Sequence, residues 1–441
     1  MKNRIRLKES QDRLITPSGM LLVGALLSKT SIARKLNRLT KPTNQKHQNA
    51  NCVIPYIGLL CQGKTDYEDV REMQEDPGFC SKALQINTIP SAETMRQRLD
   101  SLGFELASSD MILEESATML ASMNIKPTPC FTGHIPIDID VSVHDNSQTK
   151  KEGVERTYRG VDGYAPIYAY LGEEGYACNA ELREGSCHSQ CEGTQYFLRD
   201  TIRLAKQVTE EKLLVRMDSG NDAMDNIKLL RAEGADFLIK RNLRKETTEE
   251  WLETAIQYGV KSSPREGKVV YTGSIYRDKK GLDAPLRIVF QIIVRTSLPN
   301  GQLLIEPKVT VNTWWTLMEY PEEDIIRLYR EHATCEQFHS EIKDDIGLER
   351  FPSGKFDTNA AILKLAMVAY NILRIIGQDA LRSTRNLTRK DVKRLRAKTV
   401  IKRFMFVAGR VIEHARQTFL TLGRSNIWSA SFTKLYGVYC T

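Results

Sequence analysis

The stretch IPIDIDVSV, Ile135–Val143, decides the fold prediction for this chain of 441 residues. Its apolar residues alternate with Asp138, Asp140 and Ser142, and alternation with a period of two is the pattern of a β-strand. The two aspartates therefore project from one face of the strand, and the other face is apolar. A carboxylate on a core strand is costly unless it is paired or binds a metal ion, whereas a water-exposed strand face needs neither. Both interpretations remain open at this point.

The segment that follows continues with alternating strand and helix patterns. We predict, in order, strands at Tyr164–Tyr170 and Tyr176–Leu182, a helix at Tyr196–Val208, a buried strand at Leu213–Met217, a helix at Asp222–Glu233 and a strand at Phe237–Lys240. Three strands, a helix, a strand, a helix and a strand are the succession of a ribonuclease-H-like α/β core.

A β-rich segment interrupts this core. It holds one predicted helix, Thr248–Tyr258, and three β runs, Val269–Tyr276, Leu286–Val294 and Leu303–Val311, which together are long enough for an inserted subdomain. Helices are predicted to resume at Pro321 and to continue to about Gln417. The expected organisation is a helical N-terminal region (1–130), the first part of the core (131–241), the β-rich insertion subdomain (242–320), the second part of the core (321–380) and a basic helical C-terminal region (381–441).

Two further acidic residues stand at informative positions. Asp218 follows the predicted buried strand and opens an Asp-Ser-Gly turn, at the edge where open α/β sheets place ligands. The alternative for Asp218 is an N-cap of the following helix. Glu336 lies in the helix predicted to begin near Pro321. Because successive helical residues advance about 100°, the residues that share its stripe are Tyr329, His332, His339 and Lys343.

The composition favours an intracellular protein with a polyanionic partner. Hydrophobic residues make up 41% and charged residues 27% of the chain, as in soluble globular proteins, and the net charge is +8. The nine cysteines, an odd number without framework spacing, indicate reduced thiols in a cytoplasm. The early apolar run Met20–Leu27 is too short to span a bilayer. The grouping of Cys178, Cys187, His188 and Cys191 lacks a recognised zinc-site spacing, so structural zinc is disfavoured.

Basic residues are concentrated in two places. From Arg382 to Arg410 there are eleven lysines and arginines and one acid, Asp391. Such density is typical of a surface that binds phosphate backbone, which here includes Lys393, Arg394 and Arg396, although a solvated helix has the same composition. Near the N-terminus, Ser91 is a predicted N-cap for a short helix that carries Arg96 and Arg98. That helix is compatible with a recognition element that reads DNA, and also with a plain surface helix.

Several short motifs, in order, resemble the DDE transposases of bacterial insertion sequences. The resemblance covers most of the chain, from about Ser91 to Ser425. The third acidic block resembles the family's YREK signature, with Tyr329, Glu336 and Lys343 in place and His332 where the family usually has arginine. The other matching motifs are Asp140-Val141-Ser142, Tyr158-Arg159-Gly160, Gly163-Tyr164-x-Pro166, Leu182-Arg183-x-Gly185 before His188, Arg216-Met217-Asp218-Ser219-Gly220, Asn359 and Ala369-Tyr370-Asn371.

The resemblance implies an enzyme that cleaves transposon ends and transfers the strands into target DNA. It implies that Asp140, Asp218 and Glu336 are catalytic and hold two Mg²⁺ or Mn²⁺ ions, whose preferred ligands are carboxylate oxygens. Asp140 would bridge both ions, since Asp140 and not Asp138 gives the family's Asp-x-Ser spacing. Tyr329, His332 and Lys343 would contact DNA, although the histidine weakens that expectation at its own position.

The expected partners are double-stranded DNA, both terminal inverted repeats and target, and a second copy of the chain on that DNA. No membrane is expected, and the expected location is the nucleoid of a bacterial cytoplasm. Two alternatives remain. One is a nuclease of the same fold that cuts without joining, and the other is a domesticated DNA-binding protein without catalysis, against which the intact acidic triad argues. Trp314 and Trp315 fit either stacking on an unpaired base or packing in the core.

Overall fold

The structure is a computed structural model that describes residues 7–40, 47–187, 191, 193–383 and 392–441. The chain divides into two compact units. The first unit comprises Met1–Glu115 with Glu341–Thr441, and the second comprises Ser116–Ser340. The α-helices are α1 (Met20–Leu27), α2 (Ile32–Arg38), α3 (Ala50–Leu60), α4 (Val70–Glu75), α5 (Pro77–Ala83), α6 (Ala92–Ser108), α7 (Met111–Ser122), α8 (Thr194–Val208), α9 (Met224–Ala232), α10 (Thr248–Tyr258), α11 (Glu322–Glu331), α12 (Cys335–Ser340), α13 (Phe356–Ser383), α14 (Ala397–Val400) and α15 (Ser429–Cys440).

The strands outline one large sheet and two small ones. They are β1 (Leu14–Ile15), β2 (Ile135–Val141), β3 (His144–Asp145), β4 (Glu155–Arg156), β5 (Asp162–Tyr164), β6 (Ile167–Leu171), β7 (Tyr176–Glu181), β8 (Leu213–Met217), β9 (Asp236–Lys240), β10 (Val260–Arg265), β11 (Lys268–Arg277), β12 (Leu286–Ser297), β13 (Leu303–Thr316), β14 (Gly409–His414) and β15 (Gln417–Leu422). The sequence therefore folds as a mixed α/β protein, as predicted.

A nine-stranded sheet is the centre of the second unit. Its strand order is β10-β11-β12-β13-β9-β8-β2-β6-β7. The strand β2 is antiparallel to β6 and parallel to β8, which in turn is parallel to β9. The succession of strands and helices predicted from the sequence is confirmed, and β8 and α10 have the predicted bounds. All five residues of β8 are buried, including Arg216, and the other four are apolar, as expected for a strand covered on both faces.

The segment 242–320 is β-rich, as predicted, but its strands extend the same sheet. The long strand β13 ends beside β9, where Trp314 is paired with Lys240 and Thr316 with Leu238 in antiparallel register. The helix α10 covers this extension and buries Trp251. Because β13 runs for 14 residues, its last residues reach back to the core edge and pair there. The inserted strands therefore share a hydrogen-bonded sheet with the core and form part of the second unit.

A long apolar helix forms the core of the first unit. Helix α13 has 28 residues and packs against α3 and α6. By length and composition it is long enough to cross a membrane, but 94% of its apolar window is buried within the fold, as expected for a core helix. Its Lys364 is buried as well, and its ammonium donates hydrogen bonds to the carbonyls of Ala107 and Ser109. The carbonyls at the C-terminal end of α6 carry partial negative charge, so they stabilise the buried ammonium of Lys364.

The C-terminal region is not helical to Gln417, so that expectation was wrong. The strands β14 and β15 form an antiparallel hairpin, and β1 from the N-terminal end of the chain pairs with β14. The two residues between β14 and β15, Ala415 and Arg416, have φ values of 50° and 63°. Two consecutive left-handed residues make the tight turn whose twist suits a hairpin. The helical expectation ignored this local turn because its residues are not the usual Asn-Gly.

The cysteines do not all carry free thiols. The structure joins Cys187 to Cys191 as a disulfide, and the expectation of reduced thiols stays a prediction. The other seven cysteines are free and six of them are buried. The sulfur of Cys178 contacts the carbonyl of Thr201, and His188 lies outside the described residues. These observations do not support a zinc site formed by Cys178, Cys187, His188 and Cys191.

Candidate active site

Asp138 and Asp140 share one face of β2 but have different surroundings. Asp138 is 2% exposed, and both of its oxygens accept hydrogen bonds of 2.7 Å from the guanidinium of Arg216, which lies opposite on β8. The Nδ1 atom of His332 lies 2.8 Å from the same carboxylate. Burial is the largest single influence and raises the pKa of Asp138, but the charges and hydrogen bonds of Arg216 and His332 together outweigh it, so the pKa lies below its ordinary value. Asp138 is therefore an ionised structural residue, held by β8 on one side and by the His332 imidazole on the other.

Asp140 lines a cavity, and Asp138 does not. One oxygen of Asp140 accepts a hydrogen bond of 2.8 Å from the backbone N–H of Val141. The other oxygen lies 3.4 Å from Nε2 of His339 and 3.7 Å from Sγ of Cys335. Burial is the largest single influence and raises the pKa of Asp140, but His339, His332 and the N–H of Val141 together outweigh it, so the pKa is lowered. An ionised carboxylate therefore faces the cavity from the centre of the sheet.

Asp218 stands at the carboxyl end of β8, beside the end of β2. Its side chain caps a short 3-10 turn, accepting hydrogen bonds of 3.1 Å from the N–H of Gly220 and 2.9 Å from Nδ2 of Asn221. The capping interpretation is thus correct for this turn, and the same carboxylate also lines the cavity. Its pKa is raised, first by burial and then by the negative charge of Asp140. A cation bound between the two carboxylates would reduce their mutual repulsion and so stabilise the site.

Glu336 comes from the helical side of the same cavity. Its helix is not the continuous one expected from the sequence, since α11 ends at Glu331 and a 3-10 turn, His332–Thr334, separates it from α12. Glu336 is exposed and lines the cavity with Tyr329 and His332. The ring of Tyr329 lies 5.5 Å from Trp314 and 5.6 Å from His332.

The break also removes part of the predicted stripe. His339 is buried instead of facing the cavity, and its Nδ1 is hydrogen-bonded to the hydroxyl of Tyr170 at 3.1 Å. Lys343 belongs to a π-helical turn in the first unit, Glu341–Asp345, and its ammonium lies 3.4 Å from Glu349. A regular wheel of 100° per residue does not apply across a 3-10 turn and a π-helical turn, which advance differently. Within its own unit, Lys343 is engaged in this ion pair.

The cavity has a volume of about 530 Å³ and lies wholly in the second unit. Of the residues predicted from the sequence, it brings together Asp140, Asp218, Glu336, Tyr329 and His332. It also has a basic and amide lining, which is Arg159, Lys240, Gln291, Asn312 and Arg330. The sequence motif containing Tyr158 and Arg159 was an available signal. For Lys240, Gln291 and Asn312 no local signal exists, because they reach the cavity through the pairing of β9, β12 and β13.

The two tryptophans at the end of β13 differ. Trp315 is packed in the fold, with Nε1 donating to Asp222 at 2.8 Å and the Arg241 guanidinium 4.4 Å from its ring. Trp314 is 4% exposed at the cavity wall, and its Nε1 has no hydrogen-bond partner among the described residues. The core-packing interpretation therefore holds for both, since Trp314 also belongs to a buried hydrophobic cluster with Leu214 and Leu238.

A family model described as "Transposase DDE domain group 1" matches residues 1–438 of the chain. The chain belongs to this family of DDE transposases. A search of curated proteins finds no match. Among solved structures, the chain is similar to a piggyBac transposase in a synaptic complex with hairpin DNA, with 9% sequence identity, a TM-score of 0.42, and coverage of 88% of this chain and 79% of that one.

DDE transposases generally use divalent metal ions, and the donors of this cavity fit them. Three carboxylates line it, and carboxylate oxygens are the ligands that Mg²⁺ and Mn²⁺ prefer. The mutual repulsion of Asp140 and Asp218 also favours a cation between them. A second donor set shares Asp140, because ligand atoms of Asp140, Cys335 and His339 all lie within 4.8 Å of one another.

The N-terminal helix expected to read DNA in this transposase is partly excluded from that role. Ser91 is the N-cap of α6 as predicted, accepting a hydrogen bond of 3.2 Å from the N–H of Thr94. Arg96 is exposed on α6 and is paired with Glu93 at 2.7 Å. Arg98 is fully buried, and its guanidinium donates to Asn49 inside the first unit. The expectation that Arg98 contacts DNA was therefore wrong, because a guanidinium without exposed surface cannot reach a duplex.

The basic C-terminal segment of the transposase is described in part, since residues 384–391 lie outside the described residues. Lys393 is exposed. Arg394 is mostly buried and lies 3.7 Å from Glu341, and Arg396 is paired with Asp345 at 2.8 Å. These two arginines hold the segment against the π-helical turn of the first unit. Their charges are therefore partly neutralised by acids of the same unit.

Proposed function

We propose that this transposase cleaves the ends of its element and transfers them into target DNA with Asp140, Asp218 and Glu336 as the catalytic carboxylates. One observation carries the proposal. Carboxylates from the middle of the sheet, from the end of the neighbouring parallel strand and from α12 line a single cavity of about 530 Å³. Three acids in one cavity repel one another and destabilise the fold. Such a grouping therefore indicates a function that needs the three charges.

The arrangement of strands around that cavity supports a ribonuclease-H-like core for the proposed chemistry. Three antiparallel strands, β7, β6 and β2, are followed across the sheet by two parallel ones, β8 and β9. The strand acids stand at the carboxyl ends of the parallel strands, the edge at which open α/β sheets place ligands.

The carboxylates have distinct roles in this proposal. Asp140 belongs to β2, the strand that pairs with β8 and also contacts α12, and it would be a ligand shared by both metal ions. Asp218 and Glu336 complete one site each. The ions, when bound, stabilise charge on the attacking and leaving oxygens of the phosphodiester.

Other residues of the site position the carboxylates and the DNA. The Asp138–Arg216 pair keeps β2 and β8 in register, so that Asp140 and Asp218 stay side by side. The cavity wall also offers positive charge to the DNA phosphates, from Arg159, Lys240 and Arg330.

The test compares variants on a duplex that carries the element's terminal inverted repeat. Asp140→Asn, Asp218→Asn and Glu336→Gln are each expected to lower the cleavage rate by about 10³-fold or more, because each removes a metal ligand acting on the transition state. Binding to the same duplex is expected to stay near the wild-type affinity. Glu323→Gln is the matched control, an exposed acid on α11 outside the cavity lining, and is expected to cleave normally.

Two outcomes would change the assignment. Near-normal cleavage by a folded Asp140→Asn variant would overturn the proposed role of Asp140. Cleavage without any joined product in a strand-transfer assay would identify a nuclease of this fold. The DNA on either side of the gene gives an independent check, because a transposase requires terminal inverted repeats, and short direct repeats mark an insertion. The transposase is proposed to act as a homodimer on DNA, which the mass of the protein–DNA complex measures.

A further inference from the structure

A thiol and an imidazole lie beside Asp140, in addition to the carboxylates. The same oxygen of Asp140 is 3.7 Å from the sulfur of Cys335 and 3.4 Å from Nε2 of His339. All three ligand atoms lie within 4.8 Å of one another. Neither sulfur nor nitrogen is a ligand that Mg²⁺ favours, so the carboxylate mechanism does not require them.

These distances match the ligand spacing of a tetrahedral zinc site. Zinc binds nitrogen and carboxylate oxygen at about 2.0–2.2 Å and sulfur at about 2.3 Å, so tetrahedral ligands stand about 3.3–3.7 Å apart. The separations of 3.4 Å and 3.7 Å from the Asp140 oxygen lie in that range. Two of the three separations therefore fit a tetrahedral ion as they stand, and the third, between the sulfur of Cys335 and Nε2 of His339, is at most 4.8 Å.

The imidazole is held in a binding orientation. Its Nδ1 is hydrogen-bonded to Tyr170 at 3.1 Å, and its ring lies 5.2 Å from the ring of Tyr168. A metal-binding histidine typically donates its other ring N–H to a fixed partner, and with Nδ1–H donating to the hydroxyl of Tyr170, Nε2 is the unprotonated ligand nitrogen. Nε2 of His339 therefore points at Asp140.

The cavity leaves room for a fourth ligand. Asp140 and Cys335 both line it, so an ion between them is reached from the cavity side. Three protein ligands with an open fourth position are the arrangement of an accessible zinc site, whereas structural zinc sites have four protein ligands.

We propose that Asp140, Cys335 and His339 bind Zn²⁺ or a similar borderline divalent ion, and that this ion competes with Mg²⁺ for Asp140. Thiolate and imidazole ligands favour zinc strongly over magnesium. Binding releases the thiol proton of Cys335 to solvent as the sulfur–metal bond forms. The competition rests on the proposed function of Asp140, but binding itself does not. Zinc thereby holds the transposase in an inactive state until it is removed.

Binding is tested without DNA, with Co²⁺ as a spectroscopic substitute for zinc. The full chain carries Cys440→Ser to remove its exposed thiol, and no reductant is added, so that the Cys187–Cys191 disulfide stays intact. We expect one Co²⁺ per chain with a thiolate-to-cobalt absorption band that Zn²⁺ abolishes. Cys335→Ser is expected to lose the band, and His339→Gln to weaken Zn²⁺ binding by more than about tenfold, the loss typical of even an outer-shell partner.

A matched variant separates ligand loss from a change in folding. Cys178→Ser replaces another buried cysteine of the second unit, whose sulfur donates to the carbonyl of Thr201, and is expected to keep the band. Circular dichroism and the increase of Tm with Zn²⁺ show whether each variant is folded. A wild-type protein without the band, or an unchanged band in folded Cys335→Ser, overturns the site.

Competition is tested by cleavage at fixed Mg²⁺ and increasing, chelator-buffered Zn²⁺. The half-inhibitory Zn²⁺ concentration is expected to rise in Cys335→Ser by the factor by which its Zn²⁺ affinity falls. Equal inhibition of both proteins overturns the competition. The two proposals fail separately, because a cobalt site in a protein that never cleaves DNA contradicts only the proposed function, and cleavage by a protein without the cobalt site contradicts only this inference.

Discussion

Asp138 and Asp140 show how neighbouring residues of one type acquire different roles. Both lie on the same face of β2, two residues apart, and only their surroundings differ. Asp138 faces Arg216, whose Nη1 donates to the carbonyl of Leu328 on α11 at 2.8 Å. Asp140 lies near the carboxyl end of the strand, where the sheet opens into the cavity. The first is therefore structural, and the second is available for chemistry.

Removing the buried arginine should destabilise the second unit strongly. Arg216→Met is expected to lower the free energy of unfolding by about 3–5 kcal/mol, because it leaves the Asp138 carboxylate buried without its counter-ion. Arg156→Met removes an arginine from an exposed ion pair with Asp162 and should change it by less than about 1 kcal/mol. Urea unfolding measures both. Equal effects of the two substitutions would show that the buried pair is not required.

We expect the identity of the metal ion to affect DNA cleavage and not binding to the terminal repeat. Cleavage is expected with Mg²⁺ or Mn²⁺, whereas Ca²⁺ should support binding to the terminal repeat with little or no cleavage, because it takes longer bonds and a looser geometry. Gel-shift and cleavage assays with each ion, and with a chelator, measure this. Full cleavage in the chelator would contradict the metal-dependent mechanism.

At the scale of elements, the position of Glu336 depends on how α12 contacts the β6–β7 turn. Gly175 in that turn has φ of 70°, and a Cβ built there would lie 2.2 Å from the ring of Phe338 on α12. The turn and the helix thus approach more closely than any side chain on residue 175 permits. The phenylalanine packs against Tyr170 as well, with ring centroids 5.0 Å apart. This contact sets how far α12 stands from the sheet.

Gly175→Ala should therefore displace the helix that carries Glu336. We expect a loss of stability and a fall in cleavage rate, because a shift of about 1 Å at a catalytic group can cost about 10²-fold. Gly234→Ala is the matched control, since its φ is 69° but no atom lies within 4 Å of the added Cβ. It carries the same backbone strain without the clash and should cleave normally. Thermal unfolding and cleavage of both variants separate strain from displacement, and equal cleavage by the two would refute the role of this contact.

For the whole molecule, basic residues are abundant, but many are engaged within their own unit. Arg98 is buried, and Arg394 and Arg396 face acids. Of the two arginines on α6, only Arg96 has the exposure that reading the terminal sequence requires. Phosphate contacts by the C-terminal segment then depend on exposed lysines such as Lys393 and Lys398.

DNA binding across a salt series distinguishes these two kinds of contact. Replacing Lys393 and Lys398 with glutamine should weaken binding to terminal and random DNA alike and flatten the salt dependence by about one unit of slope for each phosphate interaction removed. Arg96→Gln should instead reduce the preference for terminal over random DNA. Reduced specificity in the lysine variant with an unchanged salt slope would reverse the assignment.

The sequence by itself determined the succession of strands and helices in the core, the bounds of β8 and α10, the cap at Ser91 and the three acids of the cavity. Each of these depends on local properties. Alternation, helical spacing and capping residues act within a few positions along the chain, and the acids stand in short motifs.

Only the tertiary structure decided that Asp138 is buried against Arg216, that the segment 242–320 extends the core sheet, that Arg98 is buried and that β1 pairs with β14. These features depend on contacts between residues far apart in sequence. The free energy of a carboxylate or guanidinium is set by what surrounds it, and an edge strand accepts whichever distant strand satisfies its hydrogen bonds. The residue pattern of a single stretch of chain predicts neither the surroundings of a charged side chain nor the partner of an edge strand.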